Sequence, residues 1–552
     1  MSPIKLADDM PESAAEGVAK ELKSAFDKIL ASSSTKKLVV AGPGAGKTTL
    51  FRQMLDASKG AAAEHLVITF INNLKSSLEK DLGDVAQVFT LHGYCQHLLY
   101  KHEQLRKGLS ANFKCYPGLV SLIKTDWEWL KKSSAPQFVK LMRDLSCSAE
   151  QEEFYVQRAN YYDAVDFDDS VFRTHQQIAN NSALVPDYKL VLIDEFQDFN
   201  KMEAGIIDLL ANKNSIVVAG DDDQALYSQL RDASWDHIRA RYLSGHYDIF
   251  ELPFCMRCPE VIVGAVNDVI AKARKSKKLQ GRIEKPFRYY EPVKGEDSRR
   301  FPKIELVETT VQRANANYFG RYIEQCIRAI SPEEIEVAQK KNEPAALIIG
   351  SNPYRRQVEE HLTTVGLVKA AKQDELTEMQ QAYELLNEDP NSNLGWRIIF
   401  SVEDQSMGRR IVTEAAEAGQ QLSDLIPDDY LQAKLEEAKK WIEGKPTEGD
   451  TDESAETAPM VKVTSFEGSK GMSAQYVFII GLQSGDMPRK ANDVQDIEIC
   501  KFLVGLTRTK RKCEVAITAR FGNAFKQPSE FLSWIDAARF AKKKIDKTYW
   551  SD

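Results

Sequence analysis

Short apolar runs rich in β-branched residues recur along this chain of 552 residues, and longer segments with helical periodicity lie between them. The runs are KKLVVAG, EHLVITF, YKLVLIDEF, NSIVVAGDDD, PKIELVET, PAALIIGS, MVKVTSF, QYVFIIGL and KCEVAIT. Such runs are typical of parallel strands that helices cover on both faces. The sequence therefore predicts an α/β fold.

The runs form two groups, and a helical stretch without strand-like runs interrupts each group. Because 552 residues are too many for one hydrophobic core, we expect two parallel-sheet domains with a cleft between them. The predicted boundaries are 1–94 and 186–255 for the first domain, 95–185 for its mainly helical insertion, 256–366 and 456–552 for the second domain, and 367–455 for a short helical insertion that ends in an acidic linker. The lysine-rich end of the chain, FAKKKIDK, is interpreted as a solvated helix end.

The charge balance excludes some classes of partner. Acidic residues outnumber lysine and arginine, 81 to 73, and a net charge of −8 argues against a uniformly basic surface for nucleic acid or membrane. A polyanionic partner would need a local groove. Among the eight cysteines, Cys255 and Cys258 form the one CxxC, which we interpret as buried thiols in a reducing compartment. No run approaches the roughly 20 apolar residues that span a bilayer, so we predict a cytoplasmic protein without membrane contacts.

The decapeptide AGPGAGKTTL joins the apolar run LVV to a helical pattern. Glycines in such a loop let backbone N–H groups surround phosphate oxygens, and the helix directs its positive end at the same anion. Lys47 would reach the β- and γ-phosphates, and Thr48 would offer its hydroxyl to Mg²⁺. The predicted phosphate-binding residues are Gly42, Gly44, Ala45, Gly46, Lys47, Thr48 and Thr49.

Two polar segments that follow other apolar runs complete this nucleotide site. Asp194 comes directly after a run, where its carboxylate would hold Mg²⁺, and Glu195 would act as general base for the attacking water. Gln224, in GDDDQALYS, would sense the γ-phosphate through one hydrogen bond. The acidic residues 221–223, taken alone, predict a solvated turn.

Two arginines in the second half of the chain complete the predicted catalytic set. Arg257 lies in LPFCMRCPE and Arg508 in LVGLTRTKRK. Placed across the cleft, their guanidinium groups would stabilise the negative charge of the transferring phosphoryl group. Either one alone is also compatible with a surface arginine, but together they predict a cleft that closes on nucleotide and opens after hydrolysis.

Nine motifs in order resemble the motif set of UvrD/Rep-like superfamily 1 DNA helicases, over about residues 37–520. They are AGPGAGKT, ITFINNLKS, VFTLHGYC, IDEFQDFN, GDDDQALYS, FCMRCPE, IIGSNPYRRQVEEHL, TSFEGSKGM and VGLTRTKRK. For a compact member, the resemblance implies two RecA-like domains, each with a helical insertion. It also implies ATP and Mg²⁺ as cofactors, and movement along single-stranded DNA, or a duplex with a single-stranded tail, generally 3′ to 5′.

The resemblance implies roles for individual positions. It matches Lys47, Thr48, Asp194, Glu195, Gln224, Arg257 and Arg508 to the phosphate, magnesium, water-activating and γ-phosphate-sensing positions, and it adds nucleotide contacts at Met256 and Gly471. The implied DNA contacts are Phe70, Asn72, Thr90, His92, Tyr227, Arg231, Arg355 and Ser465. An aromatic ring stacks on any base with about 1–3 kcal/mol per base, and polar groups bind backbone phosphates without reading sequence. For Phe70 and Tyr227, packing in the core is the competing interpretation.

Several positions depart from the family pattern. The family usually reads adenine with a glutamine just before the P-loop, but no glutamine precedes Gln53 in this chain. Met256 replaces a tyrosine that stacks on the base, and Ser473 replaces a glutamate that binds the ribose. All three losses concern the base and sugar, so we expect weakened discrimination among nucleoside triphosphates. The segment SQLRDAS after Tyr227 replaces an aromatic-Arg-Gly-Ala run, which removes one stacking platform.

The leading hypothesis is a DNA-stimulated ATPase that translocates on single strands and unwinds duplexes, in DNA repair or in antiviral defence. The alternative is a nucleotide-controlled switch subunit that binds DNA and regulates a partner such as a nuclease. The second insertion is shorter than in typical family members, which weakens the case for duplex unwinding. Compact relatives also occur beside nucleases in bacterial anti-phage cassettes, an analogy that favours the alternative. A P-loop kinase for small molecules would leave DEFQD, GDDDQ and both arginines unexplained.

Overall fold

The computed structural model describes residues 12–309, 318–369, 376–444, 460–546 and 549. Its strands are β1 (Lys36–Ala41), β2 (His65–Thr69), β3 (Gln87–Thr90), β4 (Lys114–Cys115), β5 (Ala164–Val165), β6 (Leu190–Ile193), β7 (Ile216–Gly220), β8 (Asp248–Leu252), β9 (Phe254–Cys255), β10 (Arg288–Tyr289), β11 (Ile304–Thr309), β12 (Ala346–Gly350), β13 (Val461–Thr464), β14 (Ala474–Ile480), β15 (Thr509–Thr518), β16 (Arg520–Phe521), β17 (Ala524–Phe525) and β18 (Phe540–Ile545). The predicted acidic linker lies outside the described residues.

The helices cover the faces of the sheets and build the insertions. They are α1 (Glu12–Ala31), α2 (Lys47–Ser58), α3 (Asn72–Leu82), α4 (Leu91–Lys101), α5 (Glu103–Arg106), α6 (Leu119–Lys131), α7 (Phe138–Arg143), α8 (Ala149–Tyr161), α9 (Phe167–Asn180), α10 (Lys201–Ala211), α11 (Ser228–Arg231), α12 (Asp236–Leu243), α13 (Glu260–Lys275), α14 (Glu291–Arg300), α15 (Tyr318–Arg328), α16 (Pro332–Lys340), α17 (Tyr354–Thr364), α18 (Glu378–Glu388), α19 (Asn393–Val402), α20 (Gln405–Ala418), α21 (Asp428–Glu443) and α22 (Asp496–Leu506). No helix of the described ranges is long and apolar enough to cross a membrane.

The first sheet has the strand order β3-β2-β6-β7-β1-β8, and its neighbouring strands are parallel. In β1, Val40 lies opposite Gly220 of β7 and Glu251 of β8. All side chains of β2, β6 and β7 are buried, because helices cover both faces, and this explains their continuous apolar runs. The edge strands β3 and β8 are partly exposed and carry polar residues, so no apolar run marked them in the sequence.

The second sheet repeats this design with the order β13-β12-β14-β15-β11-β18, again parallel throughout. Two six-stranded parallel sheets confirm the predicted α/β fold class. The interpretation of FAKKKIDK as a helix end was wrong. Phe540 and Ile545 are the buried ends of β18, which pairs with β11, and the lysines between them lie on an edge strand, where charge discourages further pairing.

The two insertions pack against each other and against the first sheet. Helices α18 to α21 of the second insertion share one apolar core with α4 and α6 to α9 of the first. At their contact, the fully buried Asp126 of α6 accepts hydrogen bonds from Arg158 of α8 and Arg397 of α19, each at 2.9 Å. The short pair β4 and β5 lies within the first insertion, where no strand was predicted.

The ends of three central strands of the first sheet lead into the predicted site residues. Strand β1 ends at Ala41 before the glycine loop, β6 ends at Ile193 before Asp194, and β7 ends at Gly220 before residues 221–224. In open parallel sheets, ligands bind in the crevice outside these carboxyl ends. The strand order therefore gathers residues that are about 150 positions apart in the chain.

Candidate active site

A cavity of about 570 Å³ lies between the two sheet domains. The predicted nucleotide residues that line it are Gly42, Gly44, Ala45, Gly46, Lys47, Thr48, Asp194 and Glu195, together with Gln224, Met256, Arg257, Gly471 and Arg508. Thr49 is not among the lining residues, because it is exposed on α2. The structure thus brings the predicted residues of both halves to one cavity.

The glycine loop is shaped by its contacts with the second half of the chain. Gly44 and Gly46 have positive φ angles of 70° and 90°, a backbone conformation that favours glycine. A Cβ atom added at Gly44 would lie 2.4 Å from Arg257 Cβ, and one added at Gly46 would lie 2.4 Å from Met256 Cε. The Met256 N–H donates to the Gly44 carbonyl at 2.9 Å. Glycine is therefore favoured at both positions by the turn, and at Gly44 the close approach of Arg257 requires it as well.

Lys47 contacts both acidic residues that follow β6. Its Nζ lies 2.7 Å from Glu195 Oε1 and 3.5 Å from Asp194 Oδ1. Burial raises the pKa of Asp194, and the charge of Glu195 adds to this effect. Asp194 Oδ1 is buried without a well-aligned hydrogen-bond donor. A carboxylate oxygen in this position, beside the Thr48 hydroxyl in the same cavity, fits the oxygen ligands that Mg²⁺ prefers.

Glu195 is held by cations from both halves of the chain. Besides Lys47, its Oε2 lies 3.3 Å from the Nζ of Lys470 and accepts a 2.6 Å hydrogen bond from Gln197. Burial acts to raise the pKa of Glu195, but Lys47 and Lys470 outweigh it and hold that pKa well below its usual range. Glu195 is therefore ionised, as a general base must be, but its oxygens are engaged by lysines.

The two predicted arginines lie together beside Gln224. Arg508 is buried and donates to Gln224 Oε1 at 3.3 Å, and Arg257 donates to the Thr507 carbonyl at 3.4 Å. Burial, reinforced by the charge of Arg257, lowers the pKa of Arg508 to about 9. Two guanidinium groups that are partly desolvated and mutually repelling form a site for a strongly charged anion.

Several residues that connect Glu195 to Gln224 were not predicted from the sequence. Gln197 donates to Glu195 and accepts from the Asp221 N–H at 3.0 Å, and Asp221 accepts from Gln224 Nε2 at 2.8 Å. Lys470 contacts Asp198 and donates to the Gln224 carbonyl at 2.7 Å. The signals were present, since DEFQD contains Gln197 and Asp198 and SKG contains Lys470.

The prediction of a solvated turn at residues 221–223 was wrong. All three aspartates are buried, and Lys285 Nζ lies 2.7, 3.0 and 2.8 Å from Asp221, Asp222 and Asp223. Arg239 pairs with Asp222 at 2.9 Å, and Arg282 pairs with Asp223 at 2.8 Å. Lysine and arginine from segments distant in sequence neutralise the cluster, so no local pattern could reveal its burial.

Four predicted DNA-contacting residues form one cluster on the first half. The ring centroids of Phe70 and Tyr227 are 4.9 Å apart, and the Arg231 guanidinium lies 4.8 Å from the Phe70 ring. Arg231 Nη2 donates to His92 Nε2 at 2.8 Å. Burial and the charge of Arg231 lower the pKa of His92 to about 3, so the ring is neutral near pH 7. Phe70 is 4% exposed and packs in the core.

The other predicted DNA contacts lie at separate positions. Thr90 caps α4 by accepting from the Gly93 N–H at 3.2 Å, and Asn72 is exposed at the start of α3. In the second half, Arg355 lies in the first turn of α17 and Ser465 directly follows β13. Tyr227 reaches that segment, because its hydroxyl donates to the Glu467 carbonyl at 3.2 Å.

One exposed aromatic residue beside the cluster was not predicted. Phe167, at the start of α9 in the first insertion, is 49% exposed, and its ring lies 6.1 Å from the His92 ring in an edge-to-face arrangement. An exposed ring at this place offers a face on which a base can stack. The sequence alone could not distinguish it from the many aromatic core residues of the insertion.

Comparisons with known proteins point to one family. A family model described as the UvrD/REP helicase N-terminal domain matches residues 22–152 and 143–242. An ATP-dependent DNA helicase PcrA of Staphylococcus aureus is 25% identical over 386 residues, which cover 61% of this chain and 52% of the relative. One from Staphylococcus epidermidis is 24% identical over 413 residues, covering 65% of this chain and 55% of the relative. The chain thus spans about half the length of these relatives.

Proposed function

We propose that this chain is a UvrD/Rep-like superfamily 1 helicase, in line with its similarity to that family, and that it couples ATP hydrolysis between its two sheet domains to movement along single-stranded DNA in the 3′ to 5′ direction. The observation that carries this proposal is the shared cavity. Lys47, Glu195 and Gln224 enter it from the first half, and Arg257 and Arg508 enter it from the second. A reaction in this cavity is thereby linked to the relative position of the two sheets.

The phosphate end of the cavity has the groups that phosphoryl transfer to water needs. The glycine loop and Lys47 would hold the β- and γ-phosphates, and Thr48 and Asp194 would hold Mg²⁺. When bound, the ion would neutralise charge on the phosphate oxygens. Glu195 would accept a proton from the water that attacks the γ-phosphorus, as the bond to the β-γ bridging oxygen breaks.

The contact between Lys47 and Glu195 suggests how nucleotide activates the base. Lys47 Nζ lies 2.7 Å from Glu195 Oε1, and phosphate oxygens would compete for the same ammonium group. Binding of the triphosphate would therefore release Glu195 from one of its two lysines. This competition predicts that nucleotide binding frees Oε1 of the general base, while Lys470 and Gln197 continue to hold Oε2.

Gln224 would connect the γ-phosphate to the DNA side of the molecule. Its side chain bonds Arg508 and Asp221, and its backbone carbonyl accepts from Lys470. Tyr227 lies three residues further along the same segment. Loss of the γ-phosphate would alter these contacts and move Tyr227 relative to the second half, which we propose as the step that moves the DNA strand.

The DNA would pass along His92, Tyr227 and Arg231 and continue to Ser465 and Arg355 on the second half. Phe70 is buried against Tyr227 and Arg231 and would support this surface without stacking on a base. Arg231 is the cation of this cluster, since His92 is neutral near pH 7, and its guanidinium also donates to the buried Glu203 at 3.3 Å. Phe167 gives the stacking face that SQLRDAS lacks. Each aromatic stack would contribute about 1–3 kcal/mol per base.

A second candidate, the nucleotide-controlled switch subunit, is favoured by one observation. Glu195 is tied to both Lys47 and Lys470, an arrangement that would make hydrolysis slow unless a partner or DNA separates these groups. Such a protein would bind nucleotide and DNA and would act mainly by changing the state of a partner such as a nuclease. Measured turnover decides between the two candidates.

The test is ATP hydrolysis with and without single-stranded DNA, for the native chain, Glu195→Gln and the matched control Glu79→Gln, whose side chain is 56% exposed on α3. A translocase requires strong stimulation by DNA that Glu195→Gln abolishes while nucleotide still binds, with the control unchanged. Equal slow turnover with and without DNA would favour the switch. Unwinding of forked substrates only from a 5′ overhang would refute the proposed direction.

A further inference from the structure

A carboxylate from the second half of the chain lines the same cavity as the glycine loop. Glu343 lies in the connection between α16 and β12 and lines the same cavity as Lys47 and Arg508. Its side chain is 25% exposed and forms part of the cavity wall. Its backbone N–H donates to the Ala338 carbonyl at 3.0 Å, which anchors the residue to the end of α16.

Two neighbours orient this carboxylate. Ser473 Oγ donates to Glu343 Oε1 at 3.3 Å, and Lys510 Nζ contacts Glu343 Oε2. Ser473 lies two residues after Gly471, and Lys510 lies two residues after Arg508. Gly471 and Arg508 line the same cavity, so Glu343 belongs to the part of the cavity wall that the second half of the chain contributes, whereas the glycine loop and Lys47 come from the first half.

We propose that Glu343, oriented by Ser473 and Lys510, accepts hydrogen bonds from the ribose hydroxyls of the bound nucleoside triphosphate. This inference rests on the proposed nucleotide site. A carboxylate has acceptors and no donor, and the sugar adjoining the triphosphate offers two hydroxyl donors. Hydrogen bonds to an ionised acceptor are the stronger class, so they suffice for specificity.

A ribose contact at Glu343 would change the nucleotide selectivity that the sequence predicts. Ser473 occupies the position where a glutamate was expected, and the structure brings the carboxylate of Glu343 to that same serine from another segment. The lining from α14, α16 and the connection that follows α16 includes the exposed apolar Val293 and Val337 together with the polar Lys294, Asp297 and Lys341. A ribose contact at Glu343 would restore the sugar recognition that the serine alone lacks.

The test measures KM for ATP, 2′-deoxyATP, 3′-deoxyATP and inosine triphosphate with the full chain. The variants are Glu343→Ala, Glu343→Gln, and the matched control Glu336→Ala, whose side chain is 62% exposed on α16. The native chain and the control are expected to prefer ATP over at least one deoxy analogue by about tenfold or more, the effect of a hydrogen bond to a charged group. Glu343→Ala should reduce that ratio to about one, and Glu343→Gln, which keeps the shape and a neutral acceptor, should fall between.

The ratio of KM for each analogue to KM for ATP distinguishes recognition of the ribose from a structural role of Glu343. A purely structural effect of losing the Lys510 contact would change KM for all four nucleotides by one factor and leave the ratios intact, which would overturn the inference. So would a loss of preference confined to inosine triphosphate, because the carboxylate would then recognise the amino group of the base. If Lys47→Ala binds nucleotide as well as the native chain does, the proposed nucleotide site itself fails, and the inference with it.

Discussion

Lys285 offers the sharpest test of how the site is held together. The lysine is 3% exposed and contacts three buried aspartates, of which Asp221 in turn accepts from the Gln224 amide at 2.8 Å. In Lys285→Met, Arg239 and Arg282 would still pair with Asp222 and Asp223. Asp221 would keep its hydrogen-bond donors but lose its cation.

The size of the effect follows from this geometry. Removing one partner of a buried ion pair costs about 3–5 kcal/mol. At about 2.1 cal/mol/K per residue, the unfolding entropy of 552 residues is about 1.2 kcal/mol/K, so the midpoint of thermal unfolding should fall by about 3–4 °C. Since Asp221 orients Gln224 and would no longer be anchored by Lys285, kcat for ATP hydrolysis should fall as well. The matched control is Lys272→Met, an exposed lysine on α13.

The pH dependence of unfolding tests whether the lost charge of Lys285 causes the destabilisation. Burial and the neighbouring aspartates raise the pKa of Asp221, and Lys285 opposes that rise. In Lys285→Met, the ionised carboxylate of Asp221 destabilises the folded state above its folded-state pKa, and protonation removes this cost at lower pH. The loss of stability should therefore be smaller at pH 5 than at pH 8. Adding Asp221→Asn should restore most of the stability. A Lys285→Met variant as stable as the control, or one that Asp221→Asn does not rescue, would refute this reasoning.

Three further changes test other parts of the structure. Arg508→Lys is expected to lower kcat about 10³-fold or more while nucleotide binding persists, because the guanidinium would stabilise charge in the transition state; steady-state kinetics with an unchanged kcat would contradict its role. Asp126→Asn leaves Arg158 and Arg397 buried without a counter-charge, so unfolding experiments should show a loss of about 3–5 kcal/mol, and a change below about 1 kcal/mol would mean that the insertions do not depend on this contact. Burial and Asp169 raise the pKa of Asp166 to about 7, above its value in the unfolded chain, so the folded state holds an extra proton and loses stability as pH rises from about 4 to 7. Asp166→Asn, which keeps the acceptor that caps α9, should therefore stabilise the protein more at pH 8 than at pH 5, and equal shifts of the unfolding midpoint at both values would rule this out.

The sequence by itself determined the elements whose signals are local. Strands buried on both faces, such as β2, β6 and β7, must be continuous apolar runs, so their positions could be predicted. The glycine loop and the residues that directly follow β6 and β7 were equally predictable, because a parallel sheet places the carboxyl ends of its strands at one edge. The resemblance to the UvrD/Rep-like helicases rests on the same local motifs.

Only the tertiary structure decided features that depend on partners distant in sequence. The edge strands β3, β8 and β18 carry polar residues because one side of each has no neighbouring strand, and this obscured their pattern. Residues 221–223 looked solvent-exposed in sequence, yet Lys285, more than sixty positions away, makes their burial possible. Glu343 reaches Ser473 for the same reason: a side chain acquires its electrostatic partners from the fold, and the strength of those interactions depends on distance and burial that no linear pattern contains.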